Sequence, residues 1–99
     1  MIKTIFTLVF RKPSTEISFQ LQKTIQMPYR VHEDEAFEYG PKHDTRFLDP
    51  ATVFFNLFDE CLHVILEPSE GDDWHFEHIS EEDIPLIRAE LLADGWAAA

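Results

Sequence analysis

The chain has 99 residues, 44% of them hydrophobic and 13% aromatic, which is enough to bury one core and excludes a chain that stays disordered. Its formal net charge of −11 repels nucleic acid and anionic membranes, so we expect neither direct nucleic acid binding nor a membrane location. Cys61 is the only cysteine, which excludes an intramolecular disulfide, and the sequence shows no signal peptide or membrane span, so the expected compartment is the cytoplasm.

The first two elements are predicted to form a β-hairpin. Residues 2–10 alternate in a β-rich pattern that suits a strand with a buried face, and residues 17–27 alternate large apolar side chains with Ser, Gln and Thr. Turn-forming residues at 12–15 separate the two stretches, which predicts antiparallel pairing. The polar face of the second strand is expected to meet water or a partner.

A polar connector follows, from residue 28 to residue 46. Its periodicity is weak, and it predicts a loop with one short strand around residues 36–39. A connector of this length is typical of a functional or mobile segment.

The longest apolar segment is predicted to be a mostly buried helix. Asp49 is placed at its N-cap and Pro50 at the first helical position, and polar residues then recur at helical spacing as a narrow stripe until Pro68 ends the helix. An alternative breaks this helix near Glu60 and makes residues 61–66 a strand, because their β-branched side chains favour that conformation.

The C-terminal third is predicted to contain a strand and a helix. Residues 74–79 have the pattern of a strand with two aromatic side chains facing inward. The helix is predicted to begin after Asp83, with Pro85 in its first turn, and to end at Gly95 in the left-handed conformation. Trp96 is expected to pack on the core.

These elements predict an α+β fold in the order β-β-(β)-α-β-α. A small antiparallel sheet of three to four strands is expected to be covered on one face by two helices. Residues 1–96 form this single acidic domain, and residues 97–99 are expected to be a frayed tail.

Histidine pairs are the candidates for a metal site. His75 and His78 are three residues apart, as are Glu60 and His63 on the predicted helix, and this spacing places two ligands on one helical face. On a strand the first pair points to opposite faces, and neither a second cysteine nor a third ligand completes either set. No metal and no cofactor is therefore predicted.

Nucleophilic catalysis is not indicated either. Cys61 lies among apolar neighbours and acids, which predicts a buried, unreactive thiol. The serines lack a nucleophile-elbow pattern, and the three glycines are too scattered to cradle a phosphate. We therefore expect a protein that is not an enzyme.

Acidic residues are distributed unevenly along the chain. Residues 1–30 carry five basic side chains against one acidic, a net +4, whereas residues 31–99 carry three basic side chains against 18 acidic, a net −15. Crowded carboxylates without compensating cations favour a basic partner. The candidate partner-binding residues are Glu33, Asp34, Glu35 and Glu38 in a first group, and Glu67, Glu70, Asp72, Asp73 and Glu77 in a second.

This acid distribution favours a non-enzymatic binding protein that blocks a basic, nucleic-acid-handling site on a partner protein. Carboxylate rows on a rigid domain can imitate duplex phosphates, as expected of inhibitors of host defence nucleases, such as anti-restriction or anti-CRISPR proteins, and of immunity or antitoxin proteins. The alternative is a generic interaction or adaptor module, and a small His-ligated metal protein or enzyme is a third hypothesis. Acidity is also compatible with a role in solubility alone, and no pattern excludes a homo-oligomer.

Overall fold

A curled six-stranded sheet and one helix make up the structure, a computed structural model that describes residues 1–12, 15–40 and 44–98. The elements in chain order are β1 (Ile2–Arg11), β2 (Ile17–Met27), β3 (Phe37–Tyr39), β4 (Arg46–Asn56), β5 (Cys61–Pro68), α1 (Ile84–Ala93) and β6 (Ala97–Ala98). The strands lie in the order β3-β4-β5-β1-β2-β6. β1 and β5 run parallel, and all other neighbours are antiparallel.

The predicted α+β fold, with a small antiparallel sheet under two helices, is wrong. The structure is 48% strand and 11% helix, so it is mainly β. One helix, α1, packs against the core side of the sheet in the described part of the chain. The parallel pairing of β1 with β5 also makes the sheet mixed, and such a pairing needs a long crossover that no local hairpin signal reveals.

The predicted hairpin of β1 and β2 is confirmed. The strands pair antiparallel, with Leu8 opposite Leu21. Both of these side chains are fully buried, whereas Gln20 and Thr24 on the opposite face of β2 are exposed. This is the alternation that a two-residue period requires.

β3 confirms the short strand predicted near residues 36–39. Its residues pair with residues 46–48 at the start of β4. Residues 13–14 of the predicted turn and residues 41–43 of the predicted connector lie outside the described residues.

The helix predicted from Asp49 to Pro68 is wrong, because this segment is the β4–β5 hairpin. Residues 52–55 combine β-branched and aromatic side chains, and β5 lies between β4 and β1, where its backbone is paired on both sides and alternate side chains enter the core. Pro50 is tolerated in β4 because it lies where the register shifts and the ladder is interrupted. The alternative that made residues 61–66 a strand is confirmed.

The strand predicted for residues 74–79 is also wrong. This segment forms consecutive turns, in which the His75 carbonyl oxygen accepts hydrogen bonds from the N–H groups of His78 at 2.8 Å and Ile79 at 2.9 Å. The Asp72 carboxylate accepts another bond, at 2.9 Å, from the backbone N–H two residues later. Backbone N–H groups that would bond to a neighbouring strand therefore bond to local acceptors instead.

α1 confirms the predicted C-terminal helix. Asp83 occupies the N-cap position, without a side-chain capping bond, and Pro85 lies in the first turn. Gly95 has a φ of 95°, and the next N–H, that of Trp96, bonds to the Leu91 carbonyl oxygen at 3.1 Å. Trp96 is buried, as predicted. The left-handed glycine thus turns the chain back onto the core.

The chain beyond α1 joins the sheet instead of forming the expected frayed tail. Ala97 and Ala98 form β6 and pair with Gln22 and Leu21 of β2. Ala99 lies outside the described residues.

An apolar cluster of buried residues lies between the sheet and α1. Its buried members are Phe6, Leu8, Phe10, Leu21, Val31, Leu48, Leu62, Val64, Leu66, Ile79, Ile87, Leu91 and Trp96. Cys61 is also buried, with 1% of its surface exposed, so the prediction of a buried thiol is confirmed although the residue lies on a strand. Packing against this core fixes the positions of β4 and α1, and residues of both elements line the partner-binding surfaces.

Candidate partner-binding surfaces

The first predicted acidic group lies between β2 and the end of β3. Glu33 and Asp34 are exposed, and neither carboxylate has a partner in the described part of the chain. Glu38 is exposed on β3. Glu35 differs, because it is half-buried and its Oε1 accepts the backbone N–H of His32 at 2.9 Å. Within the residues that the structure describes, three of the four carboxylates therefore have no intramolecular partner.

Two members of the second acidic group serve the fold. Glu67 forms an ion pair of 2.5 Å with Arg11, and both side chains are about one-third exposed. The carboxylate of Asp72 accepts the backbone N–H groups of Phe47 and Trp74, each at 2.9 Å. Asp72 therefore ties the loop after β5 to the start of β4.

Glu70, Asp73 and Glu77 remain on the surface. Glu70 is exposed with no side-chain partner among the described residues. Glu77 lies 3.6 Å from the ring of His75. Asp73 is 81% exposed and contacts Arg46 at 3.1 Å. The fold thus separates this acidic group into structural and surface residues.

Asp73 belongs to a cleft that the sequence does not predict as a unit. The cleft lies between the start of β4, the loop after β5 and α1, and it is lined by the carboxylates of Asp44, Asp73, Asp83 and Glu90. We call it the acidic cleft. Asp83 and Glu90 have no side-chain partner among the described residues. Leu86 of α1, 65% exposed, also lines the cleft and adds an apolar contact to it.

Arg46 fixes one side of the acidic cleft. Its Nη2 bonds to Asp44 at 2.7 Å, its Nη1 bonds to Asp73 at 3.1 Å, and its guanidinium lies 5.7 Å from the centre of the Trp74 ring. Its Nε is buried without a hydrogen-bond partner among the described residues. Among the described residues, the cleft is lined by four acidic side chains, the Arg46 guanidinium and the imidazole of His78, and Arg46 holds Asp44 and Asp73 in place.

The acidic cleft contains residues that the sequence did not single out for binding. Asp44 lies before β4, whereas Asp83 is the N-cap of α1 and Glu90 lies within that helix, so the sequence does not indicate that Asp44 shares a site with the other two. Asp83 was identified only as a helix cap. The folded chain brings them together because the loop after β5 turns α1 back beside the start of β4.

The histidine pairs do not assemble a metal centre in the described residues. The rings of His75 and His78 are 6.1 Å apart, and His75 Nδ1 accepts a backbone N–H at 3.2 Å. His63 pairs with Asp59 at 2.7 Å rather than with Glu60, which occupies the turn with a φ of 57°. Among residues 1–12, 15–40 and 44–98, no group of three or more His, Cys, Asp or Glu side chains is arranged to hold a metal ion.

A second surface, at the far end of β4, is apolar. We call Phe54, Phe55, Leu57 and Phe58 the hairpin end. Their side chains are 41%, 48%, 86% and 99% exposed, respectively. The sequence pattern does not reveal this surface, because it predicts a helix that would bury these residues. The hairpin turn instead projects them beyond the core.

Among the groups with shifted pKa values, Asp59 and Tyr39 have hydrogen bonds that join segments of the fold. Desolvation alone would raise the pKa of Asp59, but hydrogen bonds from the His63 ring and the Cys61 backbone N–H lower the pKa below its ordinary value. Burial, followed by the hydrogen bond to Asp94, raises the pKa of Tyr39 to about 12. The hydrogen bonds of both groups connect neighbouring segments of the fold, so the titration of each group reports on whether those segments stay in contact.

Comparisons with known proteins add no identification. No protein-family model matches the chain, and neither a curated protein nor a solved structure is significantly similar to it. Within the described part of the chain, no helix has the length and apolar character of a membrane span. The two surfaces themselves are therefore the basis on which a function can be assigned.

Proposed function

We propose that this protein is a non-enzymatic acidic binding protein, and that its acidic cleft occupies a basic, nucleic-acid-handling site on a partner protein. The observation that carries the proposal is a pair of carboxylates, Asp83 at the N-cap of α1 and Glu90 within it, that lie beside the Asp44–Arg46–Asp73 cluster. In the part of the chain that the structure describes, two of the four acids pair with Arg46 and the other two have no side-chain partner.

The acidic cleft has the chemistry to receive a lysine or arginine side chain. Asp83 and Glu90 are held on a helix, and Arg46 orients Asp44 and Asp73, so the charges are placed before a partner arrives. Complementary charges of this kind accelerate association and select the orientation of docking. The exposed side chain of Leu86 offers an apolar contact next to the charges, as interfaces with an apolar centre and a polar rim require.

A basic groove that binds nucleic acid phosphates is the partner surface that fits this cleft. Such grooves concentrate lysine and arginine side chains, and carboxylates compete with phosphates for them. The net charge of −11 supports a role in blocking such a groove and not in binding nucleic acid. Inhibitors of host defence nucleases and immunity or antitoxin proteins are the biological forms of this activity that we propose, in the cytoplasm.

The test compares two double variants that each remove two negative charges. Asp83→Asn with Glu90→Gln changes two acids of the cleft, and Glu16→Gln with Asp49→Asn is the matched control at exposed positions outside the candidate partner-binding residues. Partners captured from a lysate are identified by mass spectrometry, and the association rate and nuclease inhibition are then measured with the purified partner. We expect the cleft variant to slow association and the control to leave it close to wild type.

Salt dependence separates this function from the alternative of an adaptor module. Capture through the acidic cleft should weaken steeply as ionic strength rises, because exposed charges are screened. Equal association rates for the cleft variant and wild type would contradict the proposal. Capture that resists high salt would favour an adaptor that binds through apolar contacts.

A further inference from the structure

An apolar pocket opens between β2 and β3, separate from the acidic cleft. Its volume is about 150 Å³, and an apolar cavity of this size can hold one benzene molecule. The buried side chains of Phe6, Leu48, Leu66 and Trp96 form its floor. Concave apolar sites of this kind, with a few polar groups at fixed positions, are typical of sites for small ligands.

β2 forms one wall of the pocket. Lys23, Ile25 and Met27 are two residues apart, so they share the face of β2 that carries the fully buried Leu21. Among the described residues, Lys23 is the one basic side chain that lines the pocket. The pocket therefore combines an apolar body with a single cation.

β3 forms the opposite wall. Phe37 and Tyr39 share one face of this strand and pack against the core, and the ring of Phe37 contacts that of Phe6 edge to face, with ring centres 5.7 Å apart. Glu38 lies between them and is exposed on the other face, so its carboxylate points away from the pocket. This acid therefore does not neutralise the charge of Lys23.

Hydrogen bonds converge at the end of the pocket where Lys23 lies. Its Nζ donates to the Asp94 carbonyl oxygen at 2.9 Å. The Tyr39 hydroxyl donates to the Asp94 carboxylate and accepts the indole N–H of Trp96 at 3.2 Å. An ammonium group has three donors, and within the described part of the chain Lys23 forms no ion pair with a carboxylate. Two of its donors are therefore free for a ligand.

We propose that this pocket binds a small organic acid, an apolar body of about one ring that carries a carboxylate. The carboxylate accepts a charge-assisted hydrogen bond from Lys23, and the ring lies between Ile25 and Phe37 above the buried floor. A hydrocarbon would leave the free donors of Lys23 without an acceptor, and a cation would be repelled by them. This inference does not depend on the function proposed for the acidic cleft.

The charge of the chain near this wall is compatible with an anionic ligand. β1 and β2 belong to residues 1–30, which carry five basic side chains against one acidic, a net +4. The acid nearest to Lys23 along the polar end, Asp94, already accepts the Tyr39 hydroxyl. Charge complementarity at the pocket therefore comes from Lys23 itself, in contrast to the acidic cleft.

Titration of wild-type protein with phenylacetate tests the proposal, and phenylacetamide is the neutral probe of the same shape. Heteronuclear NMR follows the indole N–H of Trp96 and the backbone N–H groups of β2 and β3. We expect phenylacetate to shift these signals and phenylacetamide to bind about tenfold more weakly, because a charge-assisted hydrogen bond is lost. Unshifted signals, or equal affinities for the two probes, would overturn the proposal.

Two variants that each remove one positive charge separate contact with Lys23 from the general effect of charge. Lys23→Gln should reduce the affinity for phenylacetate about tenfold and leave the affinity for phenylacetamide unchanged. Lys3→Gln, at an exposed position of β1, is the matched control and should leave both affinities close to wild type. Equal losses in the two variants would show that Lys23 does not contact the ligand.

A further pair of variants tests the location without changing charge. Ile25 is 39% exposed and lines the pocket, so Ile25→Trp should fill the pocket and abolish binding of both probes while the protein stays folded. Ile17→Trp makes the same change at a position of β2 that is 50% exposed and outside the pocket, and it should retain binding. Phenylacetate binding that survives Ile25→Trp would place the site elsewhere and contradict the proposal.

Discussion

The imidazole ring of His63 lies flat against the ring of Phe54, with ring centres 5.0 Å apart and an angle of 6° between the planes. The same imidazole contacts the carboxylate of Asp59 at 2.7 Å. This histidine therefore joins β5 to β4 through its face and to the hairpin turn through its edge. The stability of the hairpin end depends on both contacts.

Asp59→Asn should make the fold less sensitive to acid. The folded pKa of Asp59 is lowered, so its contribution to stability is complete above the unfolded pKa of about 3.9 and is lost as pH falls through the folded value. We expect urea denaturation to show wild type more stable than the variant at about pH 7, with the difference shrinking as pH falls below the unfolded pKa of about 3.9.

Asp49→Asn is the control for this variant, since it makes the same change at an exposed position of β4. It should leave the free energy of unfolding at about pH 7 within about 0.5 kcal/mol of wild type. A difference between wild type and Asp59→Asn that stays constant across the acid range would contradict the assigned role of this carboxylate.

Tyr39→Phe should remove a contribution to stability that is present at neutral pH and is lost at alkaline pH. The Tyr39 hydroxyl donates to Asp94 and accepts from Trp96 Nε1 at 3.2 Å, and burial raises its pKa to about 12. A raised folded pKa gives stability that is complete below the unfolded value of about 10 and is lost as pH rises through about 12.

The measurement for Tyr39 is chemical denaturation between neutral and alkaline pH, with phenolate absorbance followed in parallel. The wild-type advantage over Tyr39→Phe should shrink above about pH 10. If the phenolate of Tyr39 forms at its ordinary pKa in the folded protein, its hydrogen bond to Asp94 does not have the importance assigned here.

Asp72→Ala should destabilise the protein more than any change at its exposed acidic neighbours. The Asp72 carboxylate satisfies the backbone N–H groups of Phe47 and Trp74, so its loss should cost about 1–3 kcal/mol of unfolding free energy. Glu70→Ala, at an exposed position without a partner in the described residues, should stay within about 0.5 kcal/mol of wild type. Equal losses of unfolding free energy for the Asp72 and Glu70 variants in urea denaturation would show that the Asp72 carboxylate does not hold the loop after β5.

Arg46→Gln should change stability and binding in opposite directions. Removal of the guanidinium leaves Asp44 and Asp73 close together without a cation, so the free energy of unfolding should fall. The acidic cleft becomes more negative, so association with a basic partner should become faster at low salt. Stopped-flow association and urea denaturation measure the two effects, and slower association would contradict the proposed role of the cleft.

Local signals in the sequence were sufficient for some elements. The alternation in residues 2–10 and 17–27 predicted the hairpin of β1 and β2, because adjacent strands joined by a short turn need no distant partner. Pro85 and Gly95 located α1, because the backbone limits of proline and the left-handed conformation of glycine act within one helical turn. Burial of Cys61 also followed from its apolar neighbours.

Tertiary structure decided the segment from residue 46 to residue 68. Its apolar run is compatible with a helix and with a strand, and the parallel contact of β5 with β1, across more than fifty residues of chain, selected the strand. That choice turned Leu57 and Phe58 from predicted core residues into the exposed hairpin end.

The sequence by itself determined the amount of negative charge and its concentration after residue 30. Only the tertiary structure decided which carboxylates are free, because it turned Asp72 inward to backbone N–H groups and placed Asp83 and Glu90 beside Asp73. Charge is a property of composition and can be counted from the chain. Whether a given carboxylate is paired within the chain or left on the surface depends on distances of a few ångströms between segments that are remote in sequence. Those distances exist only after the sheet has formed.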